Sequence, residues 1–468
     1  MKNITFRGHY RAIIANAIVL GAILLSAGAQ AQTLNVALYP YVPRIDQFQA
    51  AITAAWSKVH PEVQLNFLKS EVWRDGHYVK VWDGGYEKDP PKEAHVYVFD
   101  AMFFEQFRTN NFLEAMKPSE IENPGDFLPY ARQAVIVDGN YYAIPQLGCA
   151  NILFYNVNDT PIANATTISQ LQSATNQCTY TSEIPPDRRG LMLDMHGPVT
   201  NASLYLDIAH SVNGTYPLPQ PTQPDATFIG DQKTMLNISS FWNINSKNPD
   251  GYIRGVWYSQ GYGRAFMGFT ETMSEMTPEA LATINFKVMP LSNTTTNQPL
   301  FFVDAVGVNK PNVVNPVIRA LAVELANLIA ATGTVVASFE GTSPNQNPQY
   351  LMSVRESVFQ NLEKRYPIYG RMHSLAQASN PLAFKLNASA RTWLNEAGTK
   401  VSQQVRSNYV CGCDETADRT IMNNVDAQGV CPAVCAKYGA AWNGQWTNRP
   451  PAPGSVCGCN ACPISLAN

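Results

Sequence analysis

The feature that most constrains the fold is an alternation of strand and helix patterns that begins near the N-terminus. Residues 34–39 and 63–68 are short apolar stretches typical of strands, and residues 44–59 between them place apolar side chains on one helical face. Residues 95–99 predict another strand, which ends at Asp100 and is followed by a helix from Ala101. This order is typical of an α/β sheet.

The alternation continues through most of the chain. Asp138-Gly139 marks a hairpin, and we predict strands at residues 152–155, 191–194, 286–289 and 300–308. Helices are predicted at residues 316–332, 350–362 and 382–394. With 468 residues the chain is long enough for two lobes, each with its own core.

The N-terminus has the pattern of a secretory signal. Lys2, Arg7 and Arg11 precede an apolar run at residues 12–25, and Ala29-Gln30-Ala31 is a small-x-small cleavage site. We expect residues 1–31 to be removed, with cleavage near Ala31, and the protein to be secreted; an uncleaved anchor is the alternative. No later segment is apolar and long enough to predict a membrane span.

Beyond residue 31, seven Asn-x-Ser/Thr triplets fit a secreted glycoprotein, and we expect them on the surface if they are glycosylated. They begin at Asn158, Asn164, Asn201, Asn213, Asn237, Asn293 and Asn387.

The nine cysteines are unevenly distributed, since seven of them lie between Cys411 and Cys462. In a secreted chain this spacing predicts a small disulfide-stapled module over residues 403–468, with zinc as the rival interpretation. An odd number leaves at least one free thiol. If the tail pairs within itself and sends one bridge to Cys178, the free thiol is Cys149, although any other cysteine could be the odd one.

Charge and short motifs exclude several classes of function. The formal net charge of −3 gives no reason to expect nucleic acid or an anionic membrane as a partner. The sequence contains no Gly-x-Ser-x-Gly elbow, Walker loop or His-Glu-x-x-His helix.

Cys149 is the first candidate for chemistry. It stands between a turn stiffened by Pro145 and the predicted strand at residues 152–155, far from the clustered cysteines. A thiol at the end of a strand acts as a nucleophile when a neighbour lowers its pKa or accepts its proton. A buried structural cysteine or half of a disulfide would give the same local pattern.

Carboxylates are the candidate partners of this thiol. Glu271 follows an apolar stretch, where desolvation would raise its pKa toward the range of a general base; a capping or ion-paired Glu is the alternative. Asp100 and Asp304 are both predicted at the tips of apolar strands, where open α/β sheets place ligand sites, although an N-cap would also account for Asp100. Acids together with aromatic side chains suit a planar cationic ligand, and nearby aromatic residues are Tyr39, Tyr41, Tyr86, Tyr252 and Trp257.

Several segments, in their order and spacing, resemble the thiaminase I (thiamine pyridinylase) family. They are residues 35–43, 142–149, 153–155, 263–271, 348–351, 366–369 and 391–394. The resemblance covers residues 34 to about 398. It implies a two-lobed fold like the type II periplasmic binding proteins over residues 32–402, followed by the Cys-rich module, which lies outside the family pattern.

The resemblance also implies roles for individual residues. Cys149 falls on the family's nucleophile and Glu271 on its general base. The pocket acids fall on Asp100 and Asp304, and the pocket tyrosines match Tyr41 (or Tyr39), Tyr86 and Tyr252. Phe269 departs from the pattern, because the family has a tyrosine two residues before the base.

By this resemblance the chain would be a secreted transferase that displaces the thiazole of thiamine through a Cys149 adduct. Its partners would be thiamine and a small amine or thiol, no metal or organic cofactor would be needed, and we expect a monomer. A non-catalytic binding protein for thiamine or a similar solute is the alternative, and an interaction protein that docks through its tail is a third possibility.

Overall fold

The structure is a computed structural model. It describes residues 32–40, 42–69, 90–175, 190–193, 198–214, 224–226, 228–229, 231–232, 239–241, 253–261, 263–293, 298–343, 345–387, 398–401, 403–404, 413–437, 439–448 and 454–460.

The first lobe is built on a seven-stranded mixed sheet. Along the sheet the order is β13-β6-β12-β3-β1-β2, and β14 pairs with β12 from outside this path. These strands are β1 (Gln32–Ala37), β2 (Val63–Phe67), β3 (Val96–Asp100), β6 (Ile144–Cys149), β12 (Leu300–Val308), β13 (Met352–Ser353) and β14 (Leu382–Ala383). Strand β12 is buried along its whole length, as expected for a central strand covered on both faces.

The second lobe contains a five-stranded sheet in the order β11-β7-β10-β8-β9. Its strands are β7 (Ile152–Asn156), β8 (Leu191–Met192), β9 (Ser239–Phe241), β10 (Ala265–Gly268) and β11 (Ile284–Val288). The chain crosses from the first sheet to the second between β6 and β7, and it returns between β11 and β12. A two-stranded hairpin, β4 (Ile136–Val137) with β5 (Asn140–Tyr141), precedes β6.

Helices cover both sheets. They are α1 (Ile45–Val59), α2 (Phe104–Thr109), α3 (Pro129–Val135), α4 (Thr160–Asn164), α5 (Ile168–Thr175), α6 (Pro198–Asn213), α7 (Ile253–Ser259), α8 (Pro278–Thr283), α9 (Pro316–Ile329), α10 (Thr332–Phe339), α11 (Glu356–Leu362) and α12 (Pro367–Ser379).

Local chemistry accounts for the start of α9. Asn315 caps it by accepting hydrogen bonds from the backbone of Val317 and Ile318, and Pro316 occupies its first turn, where no backbone donor is needed. The helix buries Leu325 and Ile329 in the first lobe. The sequence therefore defines this helix locally, as its pattern predicted.

Two predicted helices are partly or wholly wrong. Tyr350 has a left-handed backbone (φ of 50°), and β13 follows it, so the helix begins only at Glu356. Residues 382–383 form β14 against β12, with Leu300 paired to Leu382. Apolar residues in both segments serve strand pairing and packing, which periodicity alone did not distinguish from a helix. Residues 388–394 lie outside the described residues.

The C-terminal module is a three-stranded antiparallel sheet packed against helix α13 (Asn424–Ala436). Its strands are β15 (Cys413–Thr416), β16 (Ala441–Asn448) and β17 (Ser455–Asn460), with β17 in the centre.

Two disulfides join α13 to β17, namely Cys431–Cys457 and Cys435–Cys459. Residues four apart share a helix face and residues two apart share a strand face, so the spacing suits two parallel staples. The predicted disulfide module is confirmed for these four cysteines. The suggested bridge from Cys178 lies outside the described residues.

One sequon is not on the surface. Asn201 lies within α6 and is 1% exposed, and Gln232 Nε2 donates to its side-chain oxygen at 3.2 Å. Asn201 is therefore not available for glycosylation in the folded chain, whereas Asn158, Asn164, Asn213 and Asn293 are exposed.

Among the described residues, no single helix has the length and hydrophobicity of a membrane span. Helices α9 and α10 pass that test only as a pair, and they are bent by 50° at the break between them.

Candidate functional site

The site is organised around two aspartates on neighbouring strands. Asp304 of β12 is directly opposite Asp100 of β3 in an antiparallel pair, which places their Cα atoms about 4.5–5.5 Å apart. Side chains directly opposite each other project from the same face of a sheet. The structure therefore brings together two acids that lie about two hundred residues apart in sequence.

Cys149 joins this face from the other side of β12. It pairs with Phe302, and Leu147, two residues earlier, pairs with Asp304. Because residues two apart in a strand share a face, Cys149 lies on the face that carries both aspartates. Cys149 has a free thiol, as the sequence analysis proposed, and it is partly accessible.

Glu271 reaches the site from the second lobe. Strand β10 ends at Gly268, and a 3₁₀ turn (Thr270–Glu275) buries Glu271 to 8% exposure. Helix α7 packs so closely on this turn that a Cβ at Gly255 would overlap the backbone carbonyl of Thr272. This close approach brings Arg254, which is also buried, near enough to act electrostatically on Glu271.

Burial sets the protonation of the three acids. It raises the pKa of Asp100 to about 7, and the hydrogen bond that Asp100 accepts from Met102 N opposes the rise. The pKa of Asp304 is raised well above its usual range by burial and by the charges of Asp100 and Glu271. Burial likewise raises the pKa of Glu271 to about 7, against the opposing effect of Arg254. The expected upward shift for Glu271 is confirmed.

The thiol is not a preformed thiolate. Burial raises the pKa of Cys149 well above its usual range, and the negative charges of Asp304, Glu271 and Asp100 raise it further. Among the described residues, no lysine or arginine contributes an opposing effect. The thiol therefore needs a base at the moment of reaction, and a glutamate with a pKa near 7 is suited to accept its proton.

The local surroundings of Asp100 and Glu271 bear on their alternative roles as a helix cap and an ion-paired residue. Asp100 does cap the 3₁₀ turn Ala101–Phe103 through Met102 N, so its capping and site roles coexist. The described residues show no cation in hydrogen-bond contact with Glu271, which makes an ion-paired structural Glu a poor description.

Tyr41, Tyr86 and Tyr252 lie outside the described residues. Tyr39 is half-buried just after β1 and packs on the first core.

Sequence reasoning missed two features of the site. The first is Arg254. It lies two positions after Tyr252, a predicted pocket residue, and this closeness in sequence was the signal that could have identified it. The second feature is an aromatic wall. The ring of Phe302 lies 6.1 Å from that of Phe269 and 5.0 Å from that of Phe384, both edge to face.

Among the described residues, no group of three or more His, Cys, Asp or Glu side chains could hold a metal ion. The site combines a thiol, three acids with raised pKa values and aromatic rings. These groups lie where the two sheets meet, which defines a two-lobed binding-protein fold equipped for nucleophilic catalysis.

Comparison with known proteins identifies the family. Thiaminase-1 of Paenibacillus thiaminolyticus is 32% identical over 408 residues, which cover 83% of this chain and 94% of the relative. The chain belongs to the thiaminase I family, a family of transferases. A Thiaminase-1 domain model matches residues 150–292.

Solved structures agree with this assignment. Clostridium botulinum thiaminase I in complex with thiamin has a TM-score of 0.73 and 33% identity, covering 80% of this chain and all of that chain. Maltose-bound MalE3 of T. maritima has a TM-score of 0.54 at 12% identity, covering 80% and 97%, and so shows the fold alone. The predicted binding-protein-like fold is confirmed.

The C-terminal module has a separate relationship. A Mannan-binding protein model matches residues 424–459, which span α13, β16 and most of β17. The sequence analysis left the role of this module open.

Proposed function

We propose that the chain is a thiamine-degrading transferase in which Cys149 is the nucleophile and Glu271 the general base. The observation that carries the proposal is the shared face of Cys149, Asp100 and Asp304. The thiamin-bound relative has the same fold at 33% identity over 80% of this chain.

The two aspartates suit the aminopyrimidine of thiamine. Because each raises the other's cost of ionisation, one of the pair holds a proton at neutral pH. A carboxyl group donates a hydrogen bond and a carboxylate accepts one. Together they match the ring nitrogen and the amino group on one edge of the pyrimidine, and the carboxylate offsets the positive charge of the thiazolium.

The reaction follows from these positions. Glu271 takes the Cys149 proton, and the sulfur forms a bond to the pyrimidine carbon next to the one that carries the methylene. The electron pair gained by the ring then breaks the methylene–nitrogen bond, and the thiazole leaves as a neutral molecule. An amine or thiol adds to the methylene and loses a proton, and the ring expels the sulfur, which recovers its proton from Glu271.

The experiment is thiazole release from thiamine by the purified protein, with and without an aromatic amine. We expect release that rises with amine concentration and disappears in Cys149→Ser, while thiamine binding persists in that variant. Tight binding by the native protein without release would instead support the binding-protein alternative. In this proposal the acceptor is an amine or a thiol. The enzyme acts as a monomer, and light scattering of the purified chain tests this.

We further propose that the C-terminal module binds a mannan-type polysaccharide. Support comes from the match of residues 424–459 to the Mannan-binding protein model and from two half-buried indoles on β16. Trp446 Nε1 donates to Asn424 Oδ1 at 2.9 Å, which fixes one ring beside the Asn424 side-chain amide. Aromatic faces next to hydrogen-bonding groups suit sugar rings.

Retention of the full chain on immobilised mannan tests this second function. Trp446→Ala should weaken retention, whereas Met422→Ala, at an exposed position of the same module, should not. Thiazole release should be unchanged in both variants. Equal retention of Trp446→Ala and the native chain would contradict the proposal.

Secretion is also part of the proposal. Disulfides of the kind seen between α13 and β17 persist in oxidising compartments, in agreement with the signal-like N-terminus. N-terminal sequencing of the mature protein should find a start close to residue 32. A chain that retains residues 1–31 would contradict cleavage.

A further inference from the structure

A second cavity lies where the chain crosses between the lobes. Its volume is about 520 Å³, within the range of small-molecule sites. None of Cys149, Glu271, Asp100 and Asp304 lines it. Its walls come from both crossings, from α6 and the loop after α4 in the second lobe, and from α12 in the first lobe.

The most unusual group in this cavity is Asp207 of α6. Its side chain is buried to 4% exposure, and Asn151 Nδ2 donates to its Oδ2 at 2.8 Å. Among the described residues, Asp207 has no ion pair and no second hydrogen bond. Burial raises the pKa of Asp207 to about 7, which is the behaviour of a carboxylate that lacks a positive neighbour.

The lysine of the same cavity does not compensate this acid. Lys287 donates from its Nζ to the backbone carbonyls of Ile162 at 2.6 Å and Ala163 at 2.8 Å, and also to that of Ala165. These three acceptors use the three donors of its ammonium group. The cavity therefore holds a buried acid to which no described residue supplies a counter-charge.

The remaining walls are largely apolar. Met289, Leu291, Leu300 and Leu375 contribute side chains around the acid. An apolar cavity with one uncompensated carboxylate favours a ligand that has a positive charge on a small hydrocarbon body. The charge of the ligand then lies beside the carboxylate, and its hydrocarbon groups lie against the apolar walls. We propose that this hinge cavity binds a small organic ammonium ion through Asp207.

The position of Asp207 gives such binding a consequence for the lobes. Asn151 holds Asp207 through its side chain and accepts a hydrogen bond from Met289 N through its backbone oxygen at 2.9 Å, so it joins both crossings. Asn151 is also two residues from Cys149. Since both lobes line the cavity, an occupant stabilises the lobe orientation in which those walls fit it, at the expense of others.

Titration calorimetry with benzyltrimethylammonium tests the proposal without using activity, so its result is independent of the proposed reaction. This probe cannot act as a nucleophile. We expect it to bind the native full-length protein, and to bind Asp207→Asn at least about 10-fold more weakly, because the neutral amide lacks the charge that attracts the quaternary ammonium ion in a poorly solvated site. Asp304→Asn, which alters only the catalytic acids, should retain this binding. Neopentylbenzene, the neutral isostere, should bind weakly and equally to the native protein and Asp207→Asn.

A second pair of variants guards against misfolding of Asp207→Asn. Ala378 is exposed on α12 and lines the cavity, so Ala378→Trp should fill it and weaken the probe by a similar factor. Gln377→Trp, at the neighbouring exposed position that does not line the cavity, is its control and should bind normally. Four results would overturn the proposal. They are no binding by the native protein at millimolar probe, native affinity in Asp207→Asn, native affinity in Ala378→Trp, and loss of binding in Asp304→Asn alone.

Discussion

Asp100 and Asp304 lie directly opposite each other on antiparallel strands and are both at least nine-tenths buried. Two carboxylates in this position cannot both ionise at low cost, so the pair holds a proton at a pH where isolated aspartates are charged. The same pair raises the pKa of the thiol on its face. Protonation of this pair thus links substrate recognition to the reactivity of Cys149.

The first prediction concerns stability. Because the pKa of Asp304 is higher in the folded chain than in the unfolded one, the native state binds more protons, and stability falls as pH rises from about 4 through the folded pKa. Asp304→Asn removes this titration. We expect the variant to gain thermal stability relative to the native protein at pH 8, by about 2 °C or more, and to show a much smaller gain at pH 4.5. Calorimetric scans at both pH values measure this; a gain confined to pH 4.5 would contradict the pKa direction.

The second prediction concerns the thiol. Since the pKa of Cys149 lies well above its usual range, the thiol of the free enzyme is protonated at neutral pH. Its alkylation by iodoacetamide should be slow at pH 7 and should still increase with pH above 9. Cys149→Ser identifies the labelled residue in the mass spectrum. A reaction rate that reaches a plateau near pH 7 would show a preformed thiolate, contrary to this account.

The third prediction concerns the base. Glu271→Gln keeps the shape of the side chain but cannot accept the proton, so kcat should fall by roughly 10²- to 10⁴-fold with little change in thiamine affinity. In the native enzyme kcat/KM should fall as pH drops below about 7, because the carboxylate with that pKa becomes protonated. Steady-state kinetics between pH 5 and pH 9 test both statements. Native turnover in Glu271→Gln would remove this residue from the mechanism.

The fourth prediction concerns the strand beneath Cys149. A Cβ at Gly148 would overlap the hydroxyl of Tyr130 and lie 3.3 Å from Val354 Cγ1. Gly148→Ala should therefore destabilise the protein by about 1–3 kcal/mol and reduce turnover. The Tyr130 hydroxyl has no hydrogen-bond partner among the described residues, so Tyr130→Phe alone should cost little.

The double variant provides the check on that steric explanation. Removal of the hydroxyl leaves the ring carbon Cζ 3.5 Å from the added Cβ, which is an ordinary contact. Tyr130→Phe should thus restore much of the stability lost in Gly148→Ala, as measured by denaturant unfolding of all four proteins. Additive losses in the double variant would show that the clash is not the cause.

Much of the site was visible in the sequence because its residues stand at marked positions. Asp100 ends an apolar strand, and Cys149 is isolated from the other cysteines. Asp304 was predicted at the tip of a strand, which is wrong, because it lies in the middle of the nine-residue β12. These positions predict polar groups at a sheet edge or face. What they do not give is register: the pairing of Asp100 with Asp304, and of Cys149 with Phe302, depends on long-range contacts that no local pattern encodes.

The errors have the same origin. The helix predicted from residue 350 fails because Tyr350 adopts a left-handed backbone and the next residues pair with β6. The sequon at Asn201 has the local pattern of a glycosylation site, but the packing of α6 buries its side chain to 1% exposure. Arg254 was missed because its effect on Glu271 depends on how closely α7 packs at Gly255. In each case tertiary packing overrode a local signal.

The central claim is that Cys149 forms the covalent adduct. Incubation of the purified protein with thiamine in the absence of an added amine or thiol, followed by acid quench and peptide mass spectrometry, tests this most directly. We expect the aminopyrimidinylmethyl fragment to be attached to the peptide that contains Cys149. The fragment should disappear when an aromatic amine is added, and Cys149→Ser should carry none. The fragment on a different residue, or thiazole release from Cys149→Ser at the native rate, would contradict it.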